Sequence, residues 1–454
     1  MLRKFPILLL LVPWVVLILC ADHWHWNGFL GIPTPLSDTV PRLCYAVVQD
    51  YPKPCPRTWR VEAELLPERR HAYLYLQNDS THPLPTIGDT LLVRARFKQG
   101  ENLGDFDYGR YLLLHGIAGT AFVRNGDWQT VRPAVSVPLR LRPVVWQHTA
   151  YERYKAAGLS GGSLATTAAL TLGYKDDLDP QLKSSFQKAG AAHILAVSGL
   201  HTGILYGVLF FMFTFFGLYP PLYEARWHQR IVSGLIVLAL IAYALLTGGT
   251  PSVVRSVVFI ALIELAKVWH RQPFSVNTLL VTAFLILFFR PLDLFSLSFQ
   301  LSFASVLGIM MLEPSVRFLF PVPSPLHRIR YYTGNYMRSL FTVSVAAQVF
   351  TLPLTLHYFS QTSNLFFLTN FIVIPLAFLL MVSSLLLLSV GWIPFAGKAL
   401  AFSTLWIAET MNRSVGWIEH LPHAVTYASL SLPAMAAMYL IIILFTILLN
   451  RVTQ

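Results

Sequence analysis

The run His193-Ile194-Leu195-Ala196-Val197-Ser198-Gly199-Leu200-His201-Thr202-Gly203 sets two imidazoles, a serine and a threonine at the head of a stretch otherwise apolar enough for a membrane helix. Polar side chains in hydrocarbon are costly unless they face water or one another, so His193, Ser198, His201 and Thr202 read either as the lining of a wet path or as mutually paired groups. A metal site is disfavoured, because two helical turns separate the histidines and no carboxylate stands nearby. Gly199, Gly203 and Gly207 recur every fourth residue, which lines them up on one helix face for close packing by a neighbour.

Two further stretches repeat the theme. In Thr247-Gly248-Gly249-Thr250-Pro251-Ser252-Val253-Val254-Arg255 a glycine turn leads into a helix with proline in its first turn, and helix N-termini attract anions. Arg255 there could meet a phosphate, snorkel outward or pair with an internal carboxylate. Ser298, Ser302 and Ser305 follow at helical spacing with Gln300 on another face, and Gln348, Thr351 and Thr355 resemble them further on. Serine and threonine in membrane helices often only return hydrogen bonds to backbone carbonyls, so the signal lies in the clustering across several helices.

These residues must be held by a membrane bundle. Of 454 residues, 55% are apolar and only 12% charged, with a mean hydropathy of +0.54, more hydrophobic surface than one water-soluble core can bury. Apolar blocks at about 193–216, 231–247, 252–268, 275–289, 295–312, 339–357, 365–389 and 432–449 match or approach the roughly 20 helical residues that cross a bilayer. Segment 400–418 is a poorer span, since Glu409 and Arg413 suit an interface. Linkers bearing Arg226 and Arg230, then Lys267 and Arg271, then Arg317, Arg328, Arg330 and Arg338 alternate with uncharged ones, apart from Arg290 beside Asp293. The basic linkers belong inside. The net charge of +12 reflects this asymmetry or an acidic partner.

Near the N-terminus, residues 1–36 read as a retained membrane anchor and linker, with Arg3 and Lys4 before the apolar run and Trp24 and Trp26 at an interfacial belt. Residues 37–135 have the composition of a soluble domain. Arg60 to Leu65 and Thr90 to Arg96 alternate with period two, and shorter strands are expected at 72–76 and 119–123. About five such strands suit a small extramembrane all-β domain, the oligonucleotide-binding (OB-like) barrel among the candidates. It lies outside if the basic linkers lie inside. Cys44 and Cys55 within it could close one disulfide, worth about 3 kcal/mol on the chain-entropy model, or remain two thiols. Residues 136–192 read as interfacial amphipathic helices and 193–454 as the polytopic helical bundle. No cofactor is expected. Gly391 to Lys398 lacks phosphate-loop spacing, so no nucleotide motor is visible, and His23-Trp24-His25 lacks the partners of a metallo-hydrolase.

With those stretches in hand, the chain resembles the ComEC competence-protein family of bacterial inner-membrane channels that import single-stranded DNA. The resemblance rests on Gly104-Asp105-Phe106-Asp107-Tyr108 with Tyr111 and Gly116-Ile117, on Ala192 to Gly203, on Thr247 to Ser256, on Leu294 to Gly308 and on Ala347 to Pro375. It implies an inner-membrane location, a periplasmic OB-fold domain that presents the strand, and a bundle that conducts it. Trp59, Arg60, Tyr73, Tyr75, Arg94, Arg96 and Lys98 would then supply cations and stacking platforms for single-stranded DNA. His193, Ser198, His201, Thr202, Arg255, Ser298, Gln300, Ser302 and Gln348 would line the channel. Many family members end in a metallo-β-lactamase-like domain, whereas this sequence stops after a hydrophobic helix. The chain is therefore expected not to be an enzyme and to rely on a separate nuclease, a cytoplasmic ATPase or helicase motor and possible periplasmic DNA-binding proteins. A transporter of a small solute or ion and a non-catalytic envelope scaffold are the rival readings.

Overall fold

The computed structural model describes residues 7–78, 83–100, 107–195, 197–215, 226–270, 272, 275–320 and 328–453. Gly104 to Phe106 and Ala196, part of the family resemblance, lie outside them. The chain forms two compact units, one of Val12–His148 with Arg290–Leu292, the other of Met1–Leu11, Thr149–Phe289 and Asp293–Gln454.

The first unit takes in most of α1 (Leu8–His23) and the short α2 (Asn27–Leu30), followed by β1 (Arg42–Val48), β2 (Lys53–Pro54), β3 (Thr58–Leu66), β4 (Arg70–Gln77), β5 (Thr90–Ala95), α3 (Tyr108–Leu114), β6 (Ile117–Val123) and β7 (Trp128–Arg132). Alternation explains the strands: Val61, Ala63 and Leu65, then Ala72, Leu74 and Leu76, then Leu91, Val93, Ala95 and Phe97 turn inward to one apolar core. The sheet order is β6-β4-β3-β1-β5-β7, with β2 on β3. Just past β5, Lys98 and Thr120 exchange N–H···O bonds of 2.9 and 2.8 Å, bringing that edge back to β6 and closing the sheet on itself. The result is an OB-like barrel. It departs from the all-β expectation in two ways: β4 and β6 pair in parallel, and α3 supplies part of the crossover that this pairing requires.

The expected disulfide is absent. Cys44, Cys55 and Cys20 are free thiols. Register gives the reason: Tyr45, next to Cys44, pairs with Leu66 at one end of β3, while the Cys55 N–H bonds to Thr58 at the other. At roughly 3.3 Å per residue those ends lie about 25 Å apart, and a bridge needs Cα atoms within about 7 Å. Burial pushes the Cys44 thiol pKa up, as suits a reduced side chain.

The second unit is helical: α4 (Arg142–Ala156, beginning in the first unit), α5 (Gly161–Leu172), α6 (Pro180–Lys188), α7 (Gly199–Phe215), α8 (Arg226–Leu246), α9 (Pro251–Val268), α10 (Val276–Phe289), α11 (Leu297–Leu319), α12 (Arg328–Phe359), β8 (Gln361–Ser363), α13 (Phe366–Val390), α14 (Pro394–Glu419), β9 (Val425–Tyr427) and α15 (Leu432–Thr453). Among the described residues, five helices, α8, α11, α12, α13 and α15, are long and apolar enough to cross a membrane, and α1, α7 and α10 are shorter apolar helices. The protein is a multi-pass membrane protein. Helix α9 has the length, but carries Arg255, Glu264 and Lys267.

Segment 136–192 differs from a purely interfacial one. Every residue of α5 from Ser163 to Leu172 is buried, with α13 and α14 packed against it. Its small side chains make that possible, and its threonines are satisfied locally: Thr167 and Thr171 donate to the Ser163 and Thr167 carbonyls at 2.7 Å, and Thr166 donates to Asn412 at 2.8 Å. A close glycine contact joins α11 to α12, where a Cβ on Gly308 would stand 2.6 Å from the Ala346 carbonyl oxygen and 2.8 Å from Phe350.

Candidate functional site

On the barrel, β-strand parity sorts the seven expected contact residues. Arg60 on β3 faces outward opposite Tyr75 on β4, and its guanidinium lies 5.1 Å over the Tyr73 ring. Trp59, one residue earlier, turns the other way, packs against the barrel core and donates its indole N–H to Asn78 at 3.2 Å. Parallel pairing sets Tyr75 beside Phe122 of β6, whose ring is 55% exposed. The closure after β5 then brings Arg96 and Lys98 to the same place, and an open groove of about 450 Å³ is lined by Thr58, Tyr75, Arg96, Lys98, Thr120 and Phe122. The Arg96 guanidinium is steadied by the Asp38 carbonyl at 2.9 Å. Arg94 pairs across β1 with Leu43 and is not among the groove's lining residues.

Electrostatics favour neutral rings beside the two cations. Burial, with the neighbouring Tyr108 of α3 and the hydrogen bond Tyr75 gives to it, pushes the Tyr75 phenol up to about 12. Burial and the nearby Glu62 carboxylate also raise Tyr73. An aromatic wall, two long cations and two threonine hydroxyls can stack a flat ring while meeting an adjacent anion. Phe122 and Tyr108 were not anticipated. The alternation Ile117-Ala118-Gly119-Thr120-Ala121-Phe122-Val123 carried the signal for Phe122.

In the bundle, the polar residues are taken up mostly in local bonds. His201 is buried, and its Nδ1 accepts the Ser198 backbone N–H at 3.0 Å, so the neutral ring carries its hydrogen on Nε2. Thr202, also buried, donates to the Ser198 carbonyl at 3.3 Å. His193 is exposed just before α7. Arg255 is buried and donates through Nη2 to the Ser298 carbonyl and hydroxyl, both at 2.7 Å. Gln300 donates to the Leu294 carbonyl at 3.1 Å, and Gln348 to Thr362 of β8 at 3.2 Å. Ser302 is half-buried on α11, where its carbonyl accepts from Ser305.

The glycine face behaves unevenly. A Cβ on Gly199 would lie 3.1 Å from the Ser256 hydroxyl on α9, but at Gly203 and Gly207 nothing stands within 4 Å. Among the described residues, the first of the three glycines meets a close neighbour and the other two do not.

One cluster escaped the sequence reading. Glu264 of α9, 1% exposed, accepts from Tyr206 of α7 and Ser233 of α8, both at 2.6 Å, and from Lys267 at 2.8 Å. A lone carboxylate within an apolar helix was the available signal.

Comparison with known proteins gives the chain its class. The sequence model for the Competence protein family matches residues 170–452, and the chain belongs to that family. It is similar to ComE operon protein 3 of Bacillus subtilis, with 28% identity over 213 residues, which are 47% of this chain and 24% of the relative. Recombination protein 2 of Haemophilus influenzae is also 28% identical, over 289 residues, 63% of this chain and 34% of the relative. The uncharacterized protein YcaI of Escherichia coli is 24% identical over 264 residues, 57% of this chain and 33% of the relative. The matched stretches thus span about a third or less of these relatives' own length. No solved structure matches the chain.

Proposed function

We propose that this protein is the membrane conduit for single-stranded DNA taken up during natural transformation, seated in the bacterial inner membrane with its barrel on the periplasmic side. Membership of the Competence protein family supports the process. The observation that carries the substrate reading is the barrel groove, in which Tyr75 and Phe122 offer ring faces beside Arg96 and Lys98. A groove of about 450 Å³ has room for a flat base and its phosphate. Stacking on Tyr75 and Phe122 needs no sequence readout, because every base has a π-face.

In the bundle, the Arg255–Ser298 and His201–Ser198 contacts are read as a closed state. Conduction then requires them to exchange protein acceptors for the passing phosphodiester backbone, held weakly enough to be released. A motor on the cytoplasmic side supplies the pull.

The test is direct. The full chain in lipid nanodiscs is titrated with labelled single-stranded and duplex DNA at two salt concentrations. Single strands should bind more tightly, and the affinity should fall steeply with salt through counterion release. Absence of binding at low salt would falsify the reading.

A further inference from the structure

Helices α7 and α9 touch at two places, and the spacing shows how they run. Gly199 meets Ser256 near their N-terminal ends, and Tyr206 meets Glu264 seven and eight residues further on, so the two helices are parallel. Between these contacts Gly203 faces unfilled space, as does Gly207 beyond the second. The second contact adds a polar tie to the apolar packing of Ile204, Leu205 and Leu209 against the buried cluster that includes Val253, Val257 and Ile260.

That contact is a fully satisfied buried charge cluster. Glu264 receives the Tyr206 hydroxyl, the Ser233 hydroxyl and the Lys267 ammonium, and Lys267 also donates to the Tyr206 oxygen at 2.5 Å. The Lys267 ammonium lies 5.3 Å from the Tyr206 ring centroid and 5.2 Å from that of Phe210. One carboxylate thus binds α7, α8 and α9 together, and the tyrosine is the member contributed by α7. Hydrogen bonds to charged groups are stronger than neutral ones, more so in a dry interior. Tyr206 is also the residue whose removal leaves the charges paired, since Glu264 keeps Lys267 and Ser233.

We propose that Tyr206, Ser233, Glu264 and Lys267 form a latch that holds α7 against α8 and α9, and that its release opens the bundle. The proposal rests on the conduit reading above for its purpose, but not for its test. Parting Tyr206 from Glu264 frees α7 along the face of Gly203 and Gly207 while the Ser233–Glu264 hydrogen bond keeps α8 on α9. The moving element is α7.

The experiment uses the full chain, with Cys20, Cys44 and Cys55 replaced by serine, in liposomes loaded with a small fluorescent anion. Tyr206→Phe removes two charge-assisted bonds, the one given to Glu264 and the one accepted from Lys267, and should raise efflux at least about tenfold. A second variant adds Gly199→Cys and Ser256→Cys, a pair close enough to bridge, to Tyr206→Phe. Oxidation should return efflux to the unsubstituted level, and reduction should restore it. Unchanged efflux from Tyr206→Phe overturns the latch, as does raised efflux that ignores oxidation of the pair. Because no DNA enters this assay, a functioning latch with no DNA import would sink only the conduit reading, and intact import with unchanged efflux would sink only the latch.

Discussion

Arg255 and Ser298 join the N-terminal turns of α9 and α11 through one guanidinium nitrogen that reaches a carbonyl and a hydroxyl, each at 2.7 Å. A planar donor set at 3% exposure holds this geometry in a way a lysine ammonium would not. Arg255→Leu is expected to reduce import of labelled DNA at least tenfold, because it removes the charge that would meet the strand. Ser298→Ala keeps the carbonyl acceptor and should change import far less. Equal loss in both variants, at equal membrane levels, would count against a strand-contacting role for Arg255.

The groove predicts a split between stacking and charge. Tyr75→Ala and Phe122→Ala should each weaken single-strand binding by about 1–3 kcal/mol with the salt dependence unchanged. Arg96→Ala and Lys98→Ala should each lower the slope of log affinity against log salt by about 1. Trp59→Ala, whose side chain belongs to the core, should lower the melting temperature of the barrel instead. Titrations at several salt concentrations, beside thermal melts, separate the three outcomes.

The tyrosine shift gives a pH prediction with a definite sign. In the unfolded chain Tyr75 loses its proton near pH 10, whereas in the barrel it holds on to about 12. A group that binds its proton more tightly when folded stabilises fully below the unfolded value, and that contribution is lost as pH rises through the folded one. Barrel stability should therefore fall between about pH 10 and pH 12, and Tyr75→Phe should flatten the fall. Phenolate absorbance followed alongside chemical denaturation checks both.

Glycine substitutions should diverge. Gly308→Ala drives a methyl into the Ala346 carbonyl and Phe350, and overpacking of this kind costs about 1–3 kcal/mol. A Cβ on Gly203 meets nothing within 4 Å among the described residues, and Gly203→Ala should leave thermal stability in detergent unaltered. If that face lines the conduit, Gly203→Leu should nonetheless obstruct DNA import.

The three cysteines should all react with a maleimide after unfolding without reductant. A product in which only Cys20 is labelled would contradict the register that separates Cys44 from Cys55.

Period-two alternation made β3, β4, β5 and β6 legible, and apolar length did the same for the main spans. The closure through Lys98 and Thr120 was not, since pairing partners distant in sequence leave no local trace, and with it went the meeting of Arg96, Lys98 and Phe122. Trp59 was readable: it shares its parity with Val61 and Ala63, so an alternating strand had to turn it inward while Arg60 faced out. Glycine period marked a small face on α7 but could not say what would fill it, whereas the solitary Gly308, with no period at all, stands against the backbone of α12. Glu264 was visible as a charge out of place. Its partners, drawn from two other helices, were not.

The pairing of β8 with β9 ties the α12–α13 connection to the α14–α15 connection, and Asn364 adds bonds to the His423 carbonyl and Thr426. Thr369 of α13 binds the Ala189 carbonyl after α6 at 2.6 Å. A buckle of this kind makes one half of the bundle a stator: α12 to α15 share a common brace and must shift as one piece. Helix α11, packed along α12 and bonded through Met311 and Ser315 to Asn450 of α15, belongs with that piece, which leaves the stroke to α7; a probe pair spanning Thr362 and Thr426 should report constant distance whatever the state of the bundle.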